Sequence, residues 1–123
     1  MKLDKDLVRE ILLQVEASPD PMAMVEITAP DHSQEEIAYH VQILDEGGLL
    51  EALDLTTMAD YDWRPRRLTY NGHEYLDTIR DPEAWRFTKE TAKNAGVAGI
   101  KALFDIGKSY ARQKLIEHGV HFS

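Results

Sequence analysis

Between Tyr61 and Arg67 the chain reads Tyr-Asp-Trp-Arg-Pro-Arg-Arg, three arginines set among two aromatic rings. Guanidinium groups hold phosphate through paired hydrogen bonds, and neighbouring rings stack on bases or other flat groups. Tyr61, Trp63, Arg64, Arg66 and Arg67 are therefore candidates for nucleic-acid binding. Trp, Tyr and Arg also dominate the centres of protein interfaces, so the same residues suit a protein partner. An internal role is open as well, with Trp63 covering the core and Arg66 and Arg67 neutralising carboxylates of their own chain.

A second candidate lies upstream, in Ser33 to Leu50. Ile37, Val41 and Leu44 recur at helical spacing, Ser33 with Glu36 forms a capping box, and Gly47 or Gly48 can end the helix in the left-handed conformation. Read as the recognition helix of a helix-turn-helix unit, it would carry Ser33, Gln34, Tyr39 and His40 toward the DNA major groove. Glu35 and Glu36 oppose this, because two carboxylates at the groove-facing end repel phosphate. Arg9 is the one Lys or Arg between Lys5 and Arg64. The competing reading makes Ser33 and Glu36 caps, places His40 at the border of the helix packing surface, and leaves the outer face to solvent or a protein.

Other chemistry finds little support. His118 and His121 stand three apart, and His32 sits near Asp31 and Glu35, but no metal-binding spacing such as HExxH occurs and there is no cysteine, so no metal site is expected. Gly47-Gly48 is a helix stop, and Gly96 with Gly99 lacks the preceding strand of a phosphate cradle. Ser18, Ser33, Ser109 and Ser123 sit in no nucleophile context. No cofactor, small-molecule substrate or enzymatic activity is expected.

The elements that would position these residues follow from periodicity. Leu3, Leu7, Ile11 and Val15, with Val8 and Leu12 beside them, predict a helix over Leu3–Val15 ended by Ala17-Ser18-Pro19-Asp20-Pro21. Met24–Ile27 reads as a brief strand. After the Ser33 helix, Leu49–Met58 and Arg66–Tyr70 read as two strands joined by a loop tip, Ala59–Pro65, and Asn71–Arg80 as a helix with Tyr75, Leu76 and Ile79 inward. Helix, short strand, helix, hairpin, helix is the skeleton of a winged helix-turn-helix, although the first helix of the turn motif is absent or a single turn. From Pro82, with Asp81 as its cap and Trp85 and Phe87 as aromatic anchors, a further helix runs to an interruption at Asn94-Ala95-Gly96. A last helix, Val97–His118, carries Val97, Ile100, Phe104, Ala111 and Leu115 on one side, with Lys101, Lys108, Arg112 and Lys114 around it. That stripe packs in cis or pairs two copies into a homodimer.

The chain resembles the uncharacterised domain of unknown function 2513 family, small proteins found largely in bacteria and their phages or prophages. The likeness rests on MKLDKDLVREILLQVE, EEIAYHVQILDEGGLLEA and RLTYNGHEYLDTIRDPEAW, which cover most of residues 1–86. The resemblance implies a winged-helix-like fold in a mobile-element setting and supplies no site residues. The middle piece also looks like the recognition-helix region of small winged-helix repressors.

At 123 residues, with 43% hydrophobic and 29% charged residues, the chain is the size of a soluble domain. No apolar run nears the ~20 residues that span a bilayer, and no apolar signal segment opens the chain, so a cytoplasmic location and no membrane partner are expected. The net charge of −8 is unevenly spread: residues 1–60 hold 14 Asp and Glu against 3 Lys and Arg, residues 61–123 hold 8 against 11. The expectation is a mainly α protein with a small β-hairpin: a winged helix-turn-helix-like core over 1–80 plus C-terminal helices over 81–123. The first functional expectation is a homodimeric DNA-binding regulator of a mobile element. The second is a non-enzymatic interaction module whose acidic surface, resembling DNA, grips a host or phage protein. One contiguous positive surface joining Arg64, Arg66 and Arg67 to the helix would favour the first, a negative one the second.

Overall fold

The structure, a computed structural model, describes residues 1–96 and 99–119. In chain order it contains α1 (Lys5–Ala17), α2 (Gln34–Glu46), β1 (Leu50–Asp54), β2 (Trp63–Leu68), α3 (Tyr70–Ile79), α4 (Pro82–Asn94) and α5 (Ile100–Glu117). The fold is mainly helical with one two-stranded antiparallel hairpin. The chain divides into units Met1–Leu76 and Asp77–Ser123, so the division falls inside α3 and not after it.

In the first unit, Asp4 caps α1 by accepting from the Leu7 N–H, and Leu7, Val8, Ile11, Leu12 and Val15 are all buried. Burying each such side chain is worth on the order of 1.5–3 kcal/mol, so this stripe anchors α1 against α2 and β2. Truncating Ile11 to Ala would cost about 2–5 kcal/mol. Between α1 and α2 the chain is extended with turns. The strand expected at Met24–Ile27 does not form: Val25 N–H donates to Pro65 O at 2.8 Å, but Pro65 has no N–H to return and the ladder cannot continue. The Gln14 amide serves the backbone there instead, donating to Thr28 O at 2.8 Å and accepting from Thr28 N–H at 2.9 Å.

Helix α2 starts at Ser33, whose hydroxyl accepts from Glu36 N–H at 3.1 Å, and buries Ile37, Ala38, His40, Val41 and Leu44. Gly48, at φ 75°, makes the left-handed exit into β1. Both strands are set differently from the sequence reading. β1 stops at Asp54, and β2 begins at Trp63 and ends at Leu68, taking in residues assigned to the loop tip. Ala52 faces Pro65 while Glu51 faces Arg67, which leaves Arg66 in a bulge and accommodates the proline within a strand. Leu50, Pro65 and Leu68 turn inward. The outer edge of β1 is stopped by Asp45, whose carboxylate accepts from Ala52 N–H at 2.7 Å.

Thr69 joins hairpin to helix. Its N–H donates to Leu49 O, its hydroxyl donates to Gly48 O at 2.5 Å, and the same hydroxyl accepts from Gly72 N–H at 3.1 Å. A Cβ on Gly72 would lie 1.8 Å from Leu49 O, so only glycine lets α3 begin against this turn. Tyr75, Leu76 and Ile79 are buried, as their spacing suggests.

In the second unit, Asp81 caps α4 through Ala84 N–H at 2.9 Å with Pro82 in the first turn, and α4 packs on α5. Trp85 is buried. Phe87 is 41% exposed and leans on Tyr110 instead of anchoring the core, with ring centroids 4.8 Å apart. On α5 the buried residues are Leu103 and Gly107, not the apolar stripe read from the sequence. A Cβ at Gly107 would come within 2.9 Å of Thr78. Among the described residues no helix is long and apolar enough to cross a membrane.

Candidate interaction surface on the second helix and the hairpin

The outer face of α2 is built by the same periodicity that buries its inner face. Glu35, Tyr39, Gln42 and Glu46 follow at spacings of four, three and four, and so form one outward stripe. Ser33, Gln34, Glu35 and Glu46 are exposed, and Tyr39 is half-buried. His40 is the correction here. It is fully buried, with Nε2 accepting from Asp4 N–H at 2.8 Å and Nδ1 2.8 Å from Glu36 O. Because Nε2 must accept, the proton sits on Nδ1 and donates to the Glu36 carbonyl. A side chain held at both nitrogens inside the core cannot read a groove. Its partner Asp4 is 36 residues away, a relationship without any signature in spacing.

His32 sits beside this junction, 3.8 Å from Asp4 Oδ2 and 3.0 Å from Glu36 Oε1, although its Nδ1 is not aligned for a hydrogen bond to that oxygen. Among the described residues no group of His, Asp and Glu has the arrangement of a metal site, and His121 lies outside them.

The hairpin folds back toward α2 through Tyr61, whose hydroxyl donates to Gln42 Oε1. Burial pushes the Tyr61 phenol above its ordinary range, and the charges of Asp54 and Glu46, then Tyr39, push it further. Asp54 moves the other way, held below the usual carboxylate range because it accepts from the Thr56 backbone and hydroxyl. It is therefore firmly ionised near neutral pH. Tyr39, Gln42, Glu46, Asp54 and Tyr61 thus make one acidic, aromatic surface.

The arginines are tied down within the hairpin. Arg67 grips Glu51 with two nitrogens, Nε to Oε2 at 3.1 Å and Nη2 to Oε1 at 2.5 Å, while Arg66 Nη2 reaches Oε2 at 3.4 Å. Arg64 Nε lies 3.3 Å from Asp62. The hydrogen bond from Arg67 is the main reason that Glu51 is held below its ordinary range. Trp63 is half-buried in β2 opposite Asp54. Arg64, Arg66 and Arg67 are thus each paired with a carboxylate of their own hairpin. Residues 1–76 hold 16 Asp and Glu against 6 Lys and Arg, a balance of −10.

The stripe expected at the dimer contact is uncovered to differing degrees: Ile100 and Phe104 are half-buried, and Ala111 and Leu115 are exposed. Val97 lies outside the described residues. Glu51, Asp45, Gln42, Thr69 and Gly72 carry no partner signal in the sequence, because each acts across a turn, between strands or between helix and hairpin, where periodicity carries no information.

Two comparisons bear on the chain. The family described as "Hypothetical protein (DUF2513)" matches residues 2–98. A protein of Haemophilus influenzae that carries the description "Uncharacterized protein" is 31% identical over 120 residues, covering 94% of this chain and 99% of that one. No solved structure matches.

Proposed function

The chain belongs to the DUF2513 family, and we propose that it is a non-enzymatic protein-interaction module whose acidic α2–hairpin surface grips a basic region of a partner protein. In this reading α1, α2, the hairpin and α3 form a winged-helix-like unit. The helix that would read DNA in such a unit instead presents carboxylates and one tyrosine, Tyr39. The observation that carries the reading is the make-up of that face: Glu35, Tyr39, Gln42 and Glu46 line the outward side of α2 and Tyr61 of the hairpin donates to Gln42, so carboxylates and phenols stand where a DNA reader needs cations. Two tyrosines among carboxylates suit Lys and Arg side chains, which pair with the acids and lay their stems on the rings. To a basic surface of a host or phage protein in the cytoplasm, such a face resembles the nucleic acid it normally meets.

The second reading is a winged-helix DNA-binding regulator of a phage or other mobile element. It is favoured by the clustering of Arg64, Arg66 and Arg67, with Arg64 and Arg67 roughly half exposed. It requires phosphate to displace Glu51 and Asp62 from them while approaching a unit of charge −10. Binding of the full chain to random duplex DNA, followed by fluorescence anisotropy at low and then higher salt, separates the two. The expected result is no binding at low salt, together with binding to oligolysine that is lost in Glu35→Lys/Glu46→Lys. DNA binding with a steep salt dependence would overturn the module reading.

A further inference from the structure

The face of α5 that carries Ile100, Phe104, Ala111 and Leu115 runs from half-buried at Ile100 and Phe104 to exposed at Ala111 and Leu115, with Leu115 45% exposed. Lys101, Lys108 and Arg112 each follow a stripe residue by one position or precede the next by three, which places them along a single flank of that stripe. Lys108 lies 5.2 Å over the Phe104 ring, so charge and apolar surface form one strip. The opposite flank, at Leu103 and Gly107, is the one already buried.

We propose that this strip is occupied by the acidic α2–hairpin surface of a second copy of the chain, each copy lending its α5 to the other. Charge selects the occupant. A second α5 would bring Lys101, Lys108, Arg112 and Lys114 with only Asp105 and Glu117, so pairing α5 with α5 sets like charge against like. The α2–hairpin surface offers Glu35, Glu46 and Asp54 to the three cations, and Tyr39 and Tyr61 to the apolar stripe. Area argues for reciprocity. An 18-residue helix is about 27 Å long, and one such face falls short of the ~1,600 Å² that a standard interface buries, whereas two equivalent contacts about a two-fold axis double it. The proposal rests on the reading of the α2–hairpin surface as protein-binding and names one protein that it binds.

The test is the mass of the full-length chain in solution, by light scattering over a concentration series at low salt. A dimer is expected. Glu35→Lys/Glu46→Lys on one side, and Lys101→Glu/Lys108→Glu/Arg112→Glu on the other, each weaken association by about tenfold or more, with far-ultraviolet circular dichroism unchanged. Mixing the two variants restores a dimer, because both reciprocal contacts again join opposite charges. A monomer at every concentration, a dimer indifferent to the α2 substitutions, or a mixture that stays monomeric overturns the proposal. Retained oligolysine binding in that event leaves the interaction-module reading standing, and its loss removes both.

Discussion

The backbone N–H of Asp4 donates to Nε2 of His40 at 2.8 Å, so the residue that caps α1 is itself held by a histidine inside α2. Because the Nδ1 proton goes to Glu36 O, one imidazole fixes the start of α1 against the second turn of α2. Replacing His40 by Ala leaves the part-buried Asp4 N–H without its partner and opens a cavity where the imidazole was fully buried. The expected loss is about 2–4 kcal/mol, read as a fall in the urea midpoint. Long-range nitrogen correlation spectra of the wild type will show the Nδ1–H tautomer, and an Nε2–H signal would contradict the geometry.

Gly72→Ala is expected to be among the most disruptive single-methyl additions in the chain. The new Cβ meets Leu49 O at 1.8 Å, so α3 must back away from the turn that Thr69 and Gly48 hold closed. About 3 kcal/mol or more of stability goes with it. Gly47→Ala is the control. Its φ is −78° and its nearest contact is Ile43 O at 3.4 Å, so thermal melting should place it within about 1 kcal/mol of wild type.

Glu51 predicts an acid-side effect. Its folded carboxyl is held below the ordinary value of 4.5, first by the Arg67 hydrogen bond. A depressed carboxylate contributes stability that is present above its unfolded pKa and is lost as pH falls through the folded one. Carbon-detected titration should show Glu51 ionising below 4.5 in the wild type and returning toward it in Arg67→Leu.

On the alkaline side, burial holds the Tyr75 phenol far above its ordinary 10.0. A raised phenol is neutral in the fold, so its contribution is intact below pH 10.0 and is lost as pH rises above it. Stability measured by denaturant should therefore fall beyond that point, and fall less in Tyr75→Phe. For Tyr61, absorbance titration should show a midpoint above 10.0 that drops toward it in Glu46→Gln/Asp54→Asn, since those carboxylates add to the effect of burial.

Local chemistry alone determined much of this protein. The repeat from Leu7 to Val15, Ser33 before α2, the glycine pair after it, Asp81 with Pro82, and the inward Tyr75, Leu76 and Ile79 are signals within one or two turns of chain, and each element forms where they place it. Pro65 misled the strand limits because its effect depends on a neighbour: beside the Arg66 bulge it sits in β2, and at its outer edge it denies Val25 a ladder. His40 reads either as a groove contact or as the border of the packing surface, because nothing near it in sequence reveals Asp4. The hairpin arginines are the sharpest case. Their order with Tyr61 and Trp63 is equally suited to phosphate, to a partner or to their own chain, and only the antiparallel register that sets Arg67 opposite Glu51 decides where those charges go. Capping and periodicity are properties of a few adjacent residues, and so the sequence by itself determined the elements. Which charges meet depends on strand register and helix packing, and so only the tertiary structure decided that Arg67 meets Glu51 and that Tyr61 reaches Gln42 on α2.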